Sequence, residues 1–146
     1  GGDDLQRMLE GLAQTRELLQ VINDQFGAPT GADLLADMTA HAIRQAMRAD
    51  AQGAGSVEGV YHLAAGGCTT WFDYANYVLA QVGRAQPAIQ LIAKEVRPVP
   101  SSAFPTAAKR PLNSRLDTTK LQTTFGLHLP QWQDGVARML SEIEIA

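Results

Sequence analysis

Four of the chain's seven prolines, Pro98, Pro100, Pro105 and Pro111, fall between residues 98 and 111. Proline fixes its own φ, lacks an amide N–H and drives the residue before it out of the helical region. This stretch therefore reads as a loop and separates the helical patterns on either side. It is also the charged part of the sequence. From Lys94 to Lys120 stand Lys94, Arg97, Lys109, Arg110, Arg115 and Lys120 against Glu95 and Asp117. Six basic and two acidic residues give a local balance of +4, so the overall charge of −3 leaves −7 for the rest of the 146 residues. A basic, proline-stiffened loop is either a solubilising surface or an anion site, since the arginine fork suits phosphate. Composition alone does not choose between the two.

Around that loop, apolar spacing and turn residues lay out alternating elements. Asp3 or Asp4 caps a first helix with Leu5, Met8, Leu9 and Leu12 on one face. A short strand over 19–22 leads into the turn-rich run Asn23 to Pro29. Thr30 then reads as an N-cap with Asp33 completing a capping box, opening a helix that carries Leu34, Leu35, Met38, Ala42, Ile43 and Met47. The small, polar stretch 49–58 is a connector. A second strand is expected over 60–63, ended by Gly66-Gly67. Thr70 caps a third helix that turns Trp71, Tyr74, Ala75, Val78 and Leu79 inward and stops at Gly83. A third strand is expected from Ile89 to Ile92 and at Val96. Asp117 caps a short helix ending at Gly126, and Pro130 introduces a last one with Trp132, Val136, Met139, Leu140 and Ile143 inward. The class is α/β in one domain over 1–146, with about five helices and a few short strands.

Composition and motif spacing exclude several chemistries. A hydrophobic share of 45% with 18% charge does not describe a disordered chain. No apolar run approaches the ~20 residues of a membrane span, and no secretory signal pattern opens the chain. The lone Cys68 makes no internal disulfide and points to a reducing, cytoplasmic setting. The net negative charge weighs against nucleic acid. Gly53-Ala54-Gly55-Ser56-Val57-Glu58-Gly59 follows a helix and has its third glycine one place late, so it is a linker rather than a dinucleotide fingerprint. There is no phosphate-binding lysine loop, no Gly-x-Ser-x-Gly elbow and no paired metal-ligand spacing; His41, His62 and His128 stand far apart. Cys68 is the one candidate thiol nucleophile, and His62 reads as a structural histidine within its strand. From the residues alone this is a binding or partner domain without visible catalytic machinery.

Three segments carry a resemblance. Val21-Ile22-Asn23-Asp24-Gln25-Phe26-Gly27-Ala28-Pro29-Thr30-Gly31-Ala32 is similar to the strand–loop–helix signature of the dTDP-4-dehydrorhamnose reductases, in the extended short-chain dehydrogenase/reductase superfamily. Tyr61-His62-Leu63-Ala64-Ala65-Gly66, followed by Thr69-Thr70-Trp71-Phe72-Asp73-Tyr74-Ala75, resembles the next strand and helix of that family. Lys109-Arg110-Pro111-Leu112-Asn113-Ser114-Arg115-Leu116-Asp117 resembles its late loop and helix cap. The family also carries a glycine fingerprint and a Tyr-x-x-x-Lys pair, and both are missing. Tyr61, Tyr74 and Tyr77 meet Ala65, Val78 and Gln81 four places on.

The resemblance implies the C-terminal, substrate-binding part of such a reductase, without its N-terminal Rossmann half. It further implies NADPH or NADH bound by that other half, possible magnesium dependence of the parent, and an isolated chain that is inactive. Arg110, with Lys109, would neutralise a sugar-nucleotide pyrophosphate, and Asn113 and Ser114 would meet polar groups beside it. Gln25, Gly27, Pro29 and Thr30 would form the facing turn, with Thr30 serving equally well as a plain helix cap. Trp71 and Trp132 read as core anchors. Expected partners are a dTDP-sugar, the Rossmann half and, through an unpaired edge at 60–63, a second copy as a homo-oligomer or swapped dimer. A regulatory or partner protein that kept the reductase scaffold is the alternative.

Overall fold

The structure, a computed structural model, describes residues 16–53, 55–85, 92–108 and 110–142. In chain order the elements are β1 (Leu18–Ile22), β2 (Phe26–Gly27), α1 (Ala32–Ala51), β3 (Thr69–Thr70), α2 (Trp71–Ala85), β4 (Glu95–Val99), a 3-10 turn (Ser101–Ala103), α3 (Thr119–Phe125) and α4 (Trp132–Glu142). The first helix expected near residues 5–12 lies outside the described residues, as does most of the strand expected from Ile89 to Ile92. The α/β class holds, with four α-helices among the described residues.

Two small sheets organise the chain. β1 and β4 pair in parallel, Leu18 opposite Glu95 and Ile22 opposite Val99. A parallel pair needs a long crossover, and here the crossover contains both α1 and α2. β4 contains Val96, where a strand is expected, and runs on through Pro98 and Val99 into the stretch read as loop. Pro98 sits opposite Val21. β4 has a single ladder partner among the described residues, and an edge strand tolerates a residue without an amide donor. The second sheet pairs β2 and β3 antiparallel, Phe26 opposite Thr70 and Gly27 opposite Thr69.

Side chains divide into two cores. Ala65, Val78, Val82, Trp132, Val136 and Leu140 pack α2 against α4, with Tyr74 and Tyr77 at the margin. Burying each of these large side chains contributes roughly 1.5–3 kcal/mol. Leu121, Phe125 and Leu129 form the second core, onto which Met38, Ala42 and Ala46 of α1 pack. Gly126 closes α3 in the left-handed region at φ 60°, ψ 34°, the expected glycine stop.

Three local expectations give way. Residues 60–63 form no strand, and so present no sheet edge for a second copy to extend. Tyr61 and Leu63 still turn inward onto the second core, which is the alternation that suggests a strand, but the backbone has no ladder partner. Instead Tyr61 Oη donates to Val57 O, and Lys120 Nζ donates to Val60 O. His62 is exposed on this coil rather than held within a strand. Gly83 does not end α2, which continues to Ala85; a glycine in a helix costs only about 1 kcal/mol, and the Val78–Val82 packing against α4 outweighs it. Finally, Thr30 is not the cap of α1. Gly31 holds that position with no side-chain hydrogen bond, and Asp33 pairs with Arg138 at 3.0 Å.

Candidate functional site

The turn after β1 is tied down by the segment after β4. The Ser101 hydroxyl and amide both donate to the Asp24 carboxylate and hold it below the ordinary carboxylate range. Gln25 Nε2 donates to Ser101 Oγ at 3.0 Å, and Asn23 N donates to Val99 O at 3.0 Å. This positions β2 as the middle of a three-segment ribbon. On one side lies β3. On the other, Phe26 N donates to Leu112 O and Ser114 N donates to Phe26 O, both at 2.8 Å. The late proline-rich loop thus meets the early turn directly, Asn113 bridging to Phe26 from far along the sequence.

β3 is fixed from below. Gly66 N donates to Pro130 O at 2.7 Å, and Trp132 N donates to Gly66 O at 3.0 Å. A Cβ on Gly66 would meet Leu129 O at 3.1 Å, and Gly67 takes φ +83° beside the Trp132 ring. The glycine pair therefore allows the chain to graze the start of α4 before Thr69 and Thr70, both 7% exposed, enter the ribbon. Thr70 caps α2 as expected: its Oγ1 accepts from Asp73 N and donates to Asp73 Oδ2, each at 3.1 Å. α2 then starts at the mouth of the ribbon with Trp71.

Between the ribbon and the start of α2 lies an open cleft of about 230 Å³. Gln25, Gly27, Pro29 and Ser114 of the expected site line it, together with Pro111. Thr30 does not. Its hydroxyl donates to Ala28 O at 2.9 Å and accepts from Ala65 N at 3.1 Å, so it braces the turn against the chain that leads to β3. Asn113 also stays off the lining and turns Oδ1 onto Arg115, accepting from its Nε at 2.9 Å. Arg110 is exposed beside the cleft with no ion-pair partner among the described residues, and Lys109 lies outside them.

The basic stretch divides accordingly. Lys94 pairs with Glu17 at 2.8 Å and Arg97 with Glu95 at 3.0 Å, all exposed. Lys120 sits 4.4 Å from the Tyr61 ring centroid, and Arg115 lies 5.7 Å from that of Phe26. Of the basic residues described in this stretch, Arg110 is the one without such an engagement.

The aromatic wall is what residue-by-residue reading missed. Phe26, Trp71 and Tyr74 line the cleft. Trp71 is not a core anchor: it is 50% exposed and meets Tyr74 edge-on at 6.0 Å. Tyr74 meets Trp132 at 6.1 Å, and Trp132 is buried as expected. An aromatic ladder thus runs from cleft to core. The available signal was position, since a residue right after a helix cap projects from the helix end rather than into its packed side. Cys68 is exposed just ahead of β3. Among the described residues no three His, Cys, Asp or Glu side chains come together to hold a metal ion. Among them, too, no helix is long and apolar enough to cross a membrane.

The sequence matches the RmlD substrate binding domain over residues 1–145. It is 53% identical over 142 residues to a dTDP-4-dehydrorhamnose reductase of Shigella flexneri and 51% identical to one of Escherichia coli K12. In both cases the match takes in 97% of this chain but 45% of the relative, so the chain spans under half their length. A Bacillus anthracis dTDP-4-dehydrorhamnose reductase solved in complex with NADP superposes on 97% of the chain with a TM-score of 0.68 at 25% identity. One from Clostridium acetobutylicum shares the fold, with a TM-score of 0.71 over 94% of the chain at 23% identity. With that match running over nearly its whole length, this chain belongs to the RmlD substrate-binding domain family.

Proposed function

We propose that this chain is the C-terminal, sugar-nucleotide-binding half of a dTDP-4-dehydrorhamnose reductase. The complete enzyme would reduce dTDP-4-dehydro-L-rhamnose to dTDP-L-rhamnose for cell-surface polysaccharide precursors. The observation that carries this reading is the cleft itself, in a chain of this family, built where the early turn and the late loop meet. Its 230 Å³ lies below the ~300–1,000 Å³ of a complete small-molecule site, as fits a site whose other wall belongs to the Rossmann half.

In this reading NAD(P)H, held by the other half, supplies the hydride. The residues present here bind and orient. Phe26, Trp71 and Tyr74 offer an apolar wall to the planar base or the sugar face. Gln25, just ahead of the middle segment of the ribbon, and Ser114, on the flanking loop, supply polar contacts. Arg110, with Lys109, meets the pyrophosphate, and its lack of an ion-pair partner among the described residues leaves its fork available. Gly27 and Pro29 shape the turn, Thr30 braces it, and Asn113 acts by holding Arg115. No Tyr-x-x-x-Lys pair is present, so the chain alone would reduce nothing. A cytoplasmic setting belongs to the same reading, in keeping with a single cysteine.

Calorimetric titration of this chain, and of a full-length reductase containing it, with dTDP and a dTDP-sugar tests the proposal. We expect binding by both, weaker for the chain. Trp71→Ala and Arg110→Ala should each lower affinity by about tenfold, the weight of one stacked ring or one charge-assisted contact. Unchanged affinity in both variants overturns the site, and no binding by the full-length protein overturns the function.

A further inference from the structure

We propose that Asp24 and Ser101 lock the side-chain amide of Gln25 in one orientation, so that the cleft presents a hydrogen-bond acceptor. That acceptor matches the N3–H of an imide base, thymine or uracil, and opposes cytosine. The inference rests on the nucleotide reading above and adds to it the device that selects the base. Gln25 lines the cleft, whereas Asp24 and Ser101 do not. These two act through Gln25, as positioning residues.

The lock follows from the number of protons available. An ionised carboxylate accepts hydrogen bonds and donates none. Asp24 is ionised at neutral pH, since the Ser101 hydroxyl and amide hold it below the ordinary carboxylate range. The Ser101 amide donates to Asp24 Oδ1 and Oδ2, each at 3.0 Å, and the Ser101 hydroxyl donates to Oδ1. A serine hydroxyl has one proton. With that proton given to Asp24, Ser101 Oγ can only accept from Gln25. The NH2 end of the glutamine amide must therefore face it, as Nε2 does at 3.0 Å. Turning the amide over would set Oε1 against Oγ, two acceptors with no proton between them, in a part-buried contact where the lost hydrogen bond is costly. The planar amide then carries Oε1 away from Ser101. Oε1 has no hydrogen-bond partner among the described residues, and it is the end left for a molecule in the cleft.

The aromatic wall does not choose between bases. Phe26 and Trp71, 41 and 50% exposed, offer faces on which any base can stack. The choice falls to the polar edge of the base. Thymine and uracil present N3–H, a donor, where cytosine presents an unprotonated N3, an acceptor. A fixed Oε1 satisfies the first and opposes the lone pair of the second. An unlocked glutamine would serve both, because a flipped amide donates to cytosine N3. Selectivity therefore lies in the lock as much as in Gln25.

Calorimetric titration of a full-length reductase containing this chain with dUDP and dCDP tests the proposal, since the two differ only at the base edge; dTDP is the positive control. We expect the wild type to prefer dUDP by about tenfold, the weight of one hydrogen bond made against one acceptor left facing another. Ser101→Ala frees the amide and should bring that ratio to within about twofold, Ser101→Thr should restore it, and Gln25→Ala should abolish it. A Ser101 that only shapes the turn would weaken both ligands equally in Ser101→Ala, and a ratio unchanged in that variant overturns the lock. Equal wild-type affinity for dUDP and dCDP beside clear binding of dTDP overturns the inference and leaves the nucleotide reading standing. No binding of dTDP overturns that reading, and this inference with it.

Discussion

Thr70→Val removes one hydroxyl from the junction where the cleft's ribbon becomes the central helix. Thr70 is 7% exposed, and valine keeps its shape, so the packing volume is nearly unchanged. What disappears is a reciprocal pair: Asp73 N loses its acceptor at 3.1 Å, and Asp73 Oδ2 loses its donor at 3.1 Å. Loss of a Ser/Thr cap costs about 0.5–2 kcal/mol. The free amide sits at the first turn beside Trp71, where water reaches it in part, so a value near 1–1.5 kcal/mol is expected. For a domain of this length each kcal/mol shifts the midpoint by roughly 3–5 °C, which predicts a Tm lowered by about 3–7 °C. Thr70→Ser keeps the hydroxyl and gives up one methyl, so it should recover most of the loss. Scanning calorimetry with matched urea titrations measures both variants. Should Thr70→Val melt within ~1 °C of wild type, or Thr70→Ser prove as damaging, the cap contributes nothing and the argument for how α2 is anchored at the cleft fails.

Other outcomes can be checked alongside. Gly67→Ala forces a side chain onto a residue at φ +83°, with Trp132 Cδ1 3.2 Å from the new Cβ; a loss of at least about 1 kcal/mol is expected in urea unfolding, and a neutral result would show that the turn relaxes freely. Asp24 is held below the ordinary carboxylate range by the Ser101 hydroxyl first and its amide second. A depressed carboxyl contributes stability that is complete at neutral pH and lost as pH falls through the region below about 4. Ser101→Ala should therefore lower the urea midpoint near pH 7, with the gap to wild type narrowing toward about pH 3; a gap independent of pH would contradict the link. Val78→Ala, at the one large side chain with no exposure among the described residues, should cost about 1–3 kcal/mol by the same titration, and a smaller loss would mean the α2–α4 seam closes over the gap.

Much of this molecule is written in local pattern. The caps at Thr70 and Gly126, the inward stripe Trp132–Val136–Leu140 and β1 follow from helix-end chemistry and apolar spacing, which depend on a few neighbouring residues. The turn around Gln25 and the loop around Ser114 were also visible as family-like segments, and the cleft joins them. Other features depend on distant partners. Residues 60–63 have strand-like alternation, yet a strand exists only where a second backbone offers its hydrogen bonds, and none does here. The strand expected at Val96 continues through Pro98 to Val99 because β1 lies beside it. Thr30 has the right identity for a cap, but Ala28 and Ala65 engage its hydroxyl first. Trp71 and Trp132 have equivalent helical spacing; only the packing of α4 against α2 decides that one is buried and the other faces the cleft. Which residues make helices and turns is legible locally, because those preferences act within a turn or two. Tertiary structure alone decided which charges remain available and which aromatic rings stay exposed, because burial and pairing belong to residues brought together from across the chain.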